Sequence, residues 1–137
     1  MRAALVLAPV LALTGAAASA APAPVTGRWI TEGGKALVEI APCGPQLCGR
    51  ILRILKPTPG RPATDTENPN AALRNRPIQG INILSEFTPS SDRWKGRIYD
   101  PESGKTYRSE LVGGGNTLNV KGCIAFFCRS QSWTRAR

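Results

Sequence analysis

Apolar positions along this chain fall in short alternating or β-rich runs, and a 3.6-residue repeat is nearly absent. A period of two belongs to strands, whose side chains point alternately to opposite faces. Gly, Pro and Asn clusters bound the runs. Eight strands are predicted, at Val25–Thr31, Ala36–Ala41, Gly49–Leu55, Gly80–Phe87, Arg93–Tyr99, Thr106–Val112, Thr117–Gly122 and Arg129–Arg135. Most links between them are short, so consecutive strands should pair as an antiparallel meander in an all-β domain.

The segment from Arg93 to Gly122 sets its own register. Asp100-Pro101-Glu102-Ser103-Gly104-Lys105 has Pro and Gly where a turn requires them. Pairing Asp100 with Lys105 places Ile98 opposite Tyr107 and Trp94 opposite Leu111 on one face. The other face then carries Lys95 opposite Glu110 and Arg97 opposite Arg108. Through the turn Gly113–Asn116, Leu111 is expected to meet Leu118, and Ser109 to meet Val120. Pairing Cys43 directly with Cys48 would set Val38 against Arg53. A slip of one residue aligns Val38 with Ile54 and Ile40 with Leu52, so a bulge is expected near Gly44 or Gly49. One long connection, Lys56 to Gln79, interrupts the meander. It should carry a short helix at Pro69–Asn75, capped by Asn68, begun by Pro69 and ended by Pro77.

The first twenty residues read differently. Arg2 precedes an apolar stretch from Ala3 to Leu13, then small residues ending in Ala18-Ser19-Ala20. This is the pattern of a secretory leader cut after Ala20. The stretch is shorter than the about 20 apolar residues of a spanning helix and contains Pro9. No Cys near the cut offers a lipid anchor. Residues 21–137 then form one domain, with no further apolar segment long enough to span a membrane. A periplasmic or secreted location is expected. The chain has 18 basic and 9 acidic residues, and leaving Arg2 aside the excess is +8. Such a charge favours anionic partners. In that compartment these are envelope components and small acids, not nucleic acid.

Export also changes the reading of the cysteines. Cys43 and Cys48, like Cys123 and Cys128, are separated by four residues, a spacing unlike that of zinc ribbons. Of three connectivities, the two local bridges are expected, pinning hairpin ends. The chain has no His, which removes Ser-His-Asp and Cys-His catalysis and every His metal site. Carboxylate or lysine chemistry remains. Asp100 and Glu102 already have a turn to explain them. Asp65, Glu67, Asn68 and Asn70 offer oxygens at short spacing, but lack the glycine and distal Glu of an EF-hand loop, with Arg76 in its place. Capping and turn formation explain them. No metal, cofactor or enzymatic activity is expected.

Arg97 and Arg108, side by side, are candidate anion ligands, with Arg74 and Arg76 reaching over from the long loop. Two solvated arginines on an outer face is the competing reading. Gly27-Arg28-Trp29 opens the first strand and Trp133-Thr134-Arg135 closes the last. Arg135 stacked over Trp29 would seal the base of a closed barrel through a cation–π contact.

That opening and ending resemble the calycin superfamily, which includes lipocalins and fatty-acid-binding proteins. More specifically, the chain resembles the bacterial family catalogued as domain of unknown function 2147. The matching runs are Gly27-Arg28-Trp29, Asn68-Pro69-Asn70 with Leu73-Arg74-Asn75-Arg76-Pro77 and Gly80, Gly96 through Tyr107, and Trp133-Thr134-Arg135. The two Cys pairs lie outside that pattern and suggest a cross-linked subgroup. The resemblance implies an exported, closed, eight-stranded antiparallel calycin-like barrel, and carries over no catalytic residue.

A small amphipathic or anionic molecule is the expected ligand. Trp94, Ile98, Tyr107, Leu111 and Leu118 would line the interior, and Arg74 and Arg76 would meet the head group. The alternatives are an interaction module whose basic face binds an anionic envelope polymer or partner protein, and a carboxylate enzyme. A barrel of this size either fills with its own side chains or holds one small ligand. The volume of the interior therefore discriminates.

Overall fold

The computed structural model describes residues 4–5, 8–15 and 21–137. The expected cut after Ala20, and half of the leader, lie outside the described residues. Residues 4–5 and 8–15 carry neither helix nor strand, and no helix among the described residues is long and apolar enough to cross a membrane.

Eight strands follow in order: β1 (Gly27–Ile30), β2 (Ala36–Cys43), β3 (Gln46–Ile54), β4 (Asn82–Ser90), β5 (Arg93–Asp100), β6 (Lys105–Gly114), β7 (Thr117–Ile124) and β8 (Phe127–Arg135). Each pairs antiparallel with the next, and β8 returns to β1 through Trp29 opposite Arg135 and Ile30 opposite Thr134. The sheet is a closed meander barrel, with a β8–β1 seam only two residue pairs long. The described helical structure is limited to two 3₁₀ turns, Glu32–Gly34 and Ala71–Leu73.

Strand directions give the barrel two unlike ends. The 43–46, 90–93 and 114–117 turns gather at the base, where β1 starts and β8 ends, and the long loop and the remaining turns surround the mouth. The base is packed. Trp29, Phe87, Leu84, Leu111 and Leu118 are fully buried there. Residues 23–25 lie across it, with Val25 buried, Trp94 Nε1 donating to the Ala23 carbonyl (3.1 Å) and Trp29 Nε1 to the Val25 carbonyl (2.9 Å). Val25 therefore belongs to this plug and not to β1.

The Arg135 guanidinium sits 4.2 Å from the centre of the Trp29 ring. Its Nε donates to the Gly115 carbonyl (3.2 Å) and its Nη1 to that of Thr26 (3.3 Å). Gly27 has φ +125, and a Cβ there would come within 2.7 Å of Arg135 Nη1. Only glycine gives the backbone this path at no steric cost while leaving the arginine room. The predicted closure is thus the observed one.

The register of β5 against β6 is as predicted, from Asp100 opposite Lys105 to Trp94 opposite Leu111. The next pairing is corrected by two residues. Gly115 and Asn116 alone form the turn, so Leu111 faces Val120, Ser109 faces Gly122, and Gly113 faces Leu118. A shift of two keeps every side chain on its expected face. In the β2–β3 hairpin the turn is Gly44-Pro45, which places Cys43 opposite Gln46 and Cys48 opposite Ala41. The Cys43–Cys48 bridge therefore runs diagonally, with Cα atoms 5.8 Å apart. The register shift of this pair lies between Leu37 and Val38, and the irregularity at Gly49 is on the β4 side. Cys123 and Cys128 are directly opposed and bonded.

Candidate functional site

Above the packed base the barrel is hollow. A cavity of about 980 Å³ opens at the mouth. Ile51, Ile83, Val120 and the buried Trp133 form its floor, Ile98 and Tyr107 its wall, and the long loop from Lys56 to Gln79 its roof. The volume lies at the upper end of the roughly 300–1,000 Å³ usual for small-molecule sites.

The roof is built as a folded loop. Thr64 bridges to Pro77, the Asp65 amide donates to the Arg76 carbonyl (2.9 Å), and the Ile78 amide to that of Ala63 (2.9 Å). At its centre Asp65 is fully buried. Arg76 Nε and Nη2 each lie 2.9 Å from Asp65 Oδ2, Asn68 Nδ2 donates to the same oxygen (2.9 Å), and the Tyr99 hydroxyl donates to Oδ1 (2.6 Å). This last bond ties the loop to β5. Burial opposes the charge on Asp65, but the hydrogen bonds from Tyr99, Asn68 and Arg76 together outweigh it and hold the carboxyl below its ordinary range. Burial and then the bond to Asp65 push the Tyr99 hydroxyl up to about 12.

These shifts set a pH window. Asp65 contributes its full stability above the unfolded carboxyl value of about 4, and the contribution is lost as pH falls through the lower folded value. Tyr99 contributes fully below its unfolded value of about 10, and the contribution is lost as pH rises through the folded one. Asp65→Asn is expected to cost about 2–3 kcal/mol near neutrality, because Arg76 loses a buried counter-charge while staying partly solvated. The variant should also lose stability less steeply below pH 4 than the parent. Urea unfolding at a series of pH values checks both.

The oxygens that suggested calcium are committed to this loop. Asn68 Oδ1 accepts the Asn70 amide (2.8 Å), and Asn70 Oδ1 accepts the Ala72 amide (3.1 Å). Asn70 is therefore the cap of the short helical turn, in place of Asn68, and the helix is the single turn Ala71–Leu73. Gly104 (φ +71) lies beneath the loop, where a Cβ would collide with the Glu67 carbonyl.

The candidate ligand residues separate into three groups. Ile98 and Tyr107 line the cavity, whereas Trp94, Leu111 and Leu118 belong to the packed base. Arg74 and Arg76 do not line the cavity: Arg74 Nε donates to the Asn68 carbonyl (2.7 Å), and Arg76 serves Asp65. Arg97 and Arg108 stand side by side on the outer face as predicted, but each has its own partner. Arg97 pairs with Glu86 (3.0 Å), and Arg108 donates to the Ala125 carbonyl.

The cations at the cavity are others: Lys35, Lys56, Arg61 and Arg129, with Asp100 and Glu102 as the acidic residues. Arg61 reaches the Glu102 backbone carbonyl (3.3 Å), and Lys56 that of Gly33 (3.0 Å). Arg129 is the most telling. It lies on β8 on the same face as Phe127, Gln131 and Trp133, all of which line the cavity, and it has no ion-pair partner among the described residues. Alternation from Trp133 would have found it in the sequence. Asp100 is engaged in its own turn, accepting the Glu102 amide (2.9 Å) and the Ser103 hydroxyl (2.8 Å).

Residues 27–135 match the sequence profile of a family described as "Uncharacterized protein conserved in bacteria (DUF2147)". The chain belongs to the DUF2147 family. No curated protein matches this DUF2147 chain. Among solved structures it is similar to protein HP1028 of Helicobacter pylori, described as belonging to the lipocalin family. The TM-score is 0.71 and the identity 21%, over 83% of this chain and 84% of that one. At that identity the likeness concerns the fold: the DUF2147 barrel is lipocalin-like.

Proposed function

We propose that this DUF2147 protein is an exported, non-enzymatic binding protein that takes one small amphipathic anion into its barrel. The observation that carries the reading is the half-filled interior, in which an apolar floor lies under a mouth furnished with cations. Packing of the apolar part over Ile51, Ile83, Ile98 and Val120 would remove it from water, at about 25 cal/mol per Å² buried. The anionic group would lie at Arg129, with Lys35, Lys56 and Arg61 around it. A site open on one side only, with few charged groups above a greasy floor, fixes a ligand's orientation as well as its affinity.

Export to the periplasm or beyond is supported by the leader pattern of residues 1–20, by two disulfides and by membership of a bacterial family. The absence of His and the commitment of Asp65 and Asp100 to structural bonds support the non-enzymatic reading. Native mass spectrometry of protein from a periplasmic extract tests the proposal. The expected spectrum shows a single adduct of a few hundred daltons that is lost on denaturation. Bare protein, with no adduct restored by adding medium-chain carboxylates, would count against it.

A further inference from the structure

From residue 21 onward, large apolar side chains are buried or half-buried with one exception among the described residues. Ile124, Phe126 and Phe127 are 61%, 105% and 75% exposed. They fall within four consecutive residues and form the tip of the β7–β8 hairpin, which projects at the mouth. The hairpin is held directly below its tip by the Cys123–Cys128 bridge. Ala125 takes a positive φ of 49 to turn the chain, and Arg108 donates to its carbonyl. Ile124 and Phe127 lean on the cavity, whereas Phe126 makes no part of its lining.

We propose that this hairpin tip docks the protein, mouth first, on an anionic phospholipid bilayer. Three features of the molecule select this occupant. First, the tip is convex, and an interfacial layer of lipid admits a protruding apolar wedge without a matching groove. Second, the apolar residues are flanked by cations: Arg108 beside Ala125, and Arg129 one residue beyond Cys128, with Lys35, Lys56 and Arg61 elsewhere on the mouth. The acidic residues on this end are Glu32, Asp65, Glu67, Asp100 and Glu102, of which Asp65 is buried and paired with Arg76, and Glu32 accepts the Ser132 amide. Third, the excess charge of the whole domain has the same sign. An aromatic anchor combined with cations is the usual pairing for shallow membrane attachment, the charges adding long-range attraction to the burial of apolar surface. Docking concerns the outer surface and goes beyond the ligand reading, since it holds whether or not the cavity takes a ligand.

Vesicle flotation tests it, using protein recovered from the periplasm of cells expressing the full chain. The expected result is binding to vesicles rich in phosphatidylglycerol, weak binding to phosphatidylcholine vesicles, and at least tenfold weaker binding for Phe126→Asp. That variant should melt where the parent melts and take up a fluorescent carboxylate as the parent does. Phe126→Trp, which keeps the wedge, should show a blue-shifted emission on adding anionic vesicles. Lack of binding by the parent, equal binding by Phe126→Asp, or an unshifted Trp emission would overturn the proposal. So would a Phe126-dependent dimer in sedimentation equilibrium without vesicle binding, which would assign the tip to a second copy of the chain.

Discussion

Replacing Trp29 with alanine is expected to lower the thermal midpoint by roughly 12–20 °C. The ring is fully buried in the base of the barrel. Truncating a buried Trp costs about 3–5 kcal/mol, since the cavity left behind collapses only in part. For a domain of this size each kcal/mol corresponds to roughly 4 °C. The loss here extends beyond packing. The Val25 carbonyl loses its indole donor, and Arg135 loses the ring beneath it. Arg135→Ala should cost less, about 1–2 kcal/mol, because the plug stays in place while the cation–π contact and the bonds to Gly115 and Thr26 are removed. In the double variant the two losses should fall short of additivity by about 0.5–1.5 kcal/mol, as expected of groups in direct contact. Circular dichroism melts of the four proteins supply the cycle. Strict additivity would mean that Trp29 and Arg135 close the barrel independently.

Charge reversal of Arg129 is expected to weaken uptake of a long-chain carboxylate by about 10–150-fold, with little change in the melting temperature. A hydrogen bond to a charged group is worth about 1.5–3 kcal/mol, which gives that range. Arg129 is exposed at the mouth and has no acidic partner among the described residues, so the fold does not depend on it. Arg129→Lys should recover part of the affinity through charge without the guanidinium fork. Neutralising Lys35 or Lys56 should cost only a few-fold, since exposed charges act weakly and are screened. Competition titrations with a neutral alcohol of equal chain length add a control: its affinity should be nearly indifferent to residue 129.

The fold was legible where turn chemistry left one solution. Asp100-Pro101-Glu102-Ser103-Gly104-Lys105 admits one tight turn, and the β5–β6 register followed residue for residue. Gly113-Gly114-Gly115-Asn116 admits more than one, because any of its glycines can take the turn. The choice of Gly115-Asn116 moved the next pairing by two without changing a face. The β2–β3 register follows neither the direct Cys43–Cys48 pairing nor the one-residue slip: Val38 faces Ile51 and Ile40 faces Gly49, because a disulfide also spans a diagonal and leaves the register to the turn.

The site was less legible, for a different reason. Arg74 and Arg76 looked available because sequence shows charge without its partner. Asp65, which takes Arg76, reads in the sequence as a cap or an oxygen ligand. Arg129 was within reach of the same alternation that placed Trp133, but a charged residue on an inward face contradicts the expectation of an apolar core. Functional or strained positions are where such contradictions are expected, and Arg129 is proposed as one on that ground. The remaining mouth residues come from loops and strand ends, whose positions depend on tertiary folding and follow no period.

The most direct test of the binding reading is a titration of the periplasmic protein with a fluorescent medium- or long-chain carboxylate, set beside the cavity-filling variant Ile98→Trp. The expected outcome is saturable enhancement of emission at one molecule per chain in the parent, reversed by an unlabelled carboxylate, and at least tenfold weaker uptake in a variant that still folds. Emission that never saturates, or saturation unchanged by the added indole, would mean that the hollow upper half of the barrel is not a binding site.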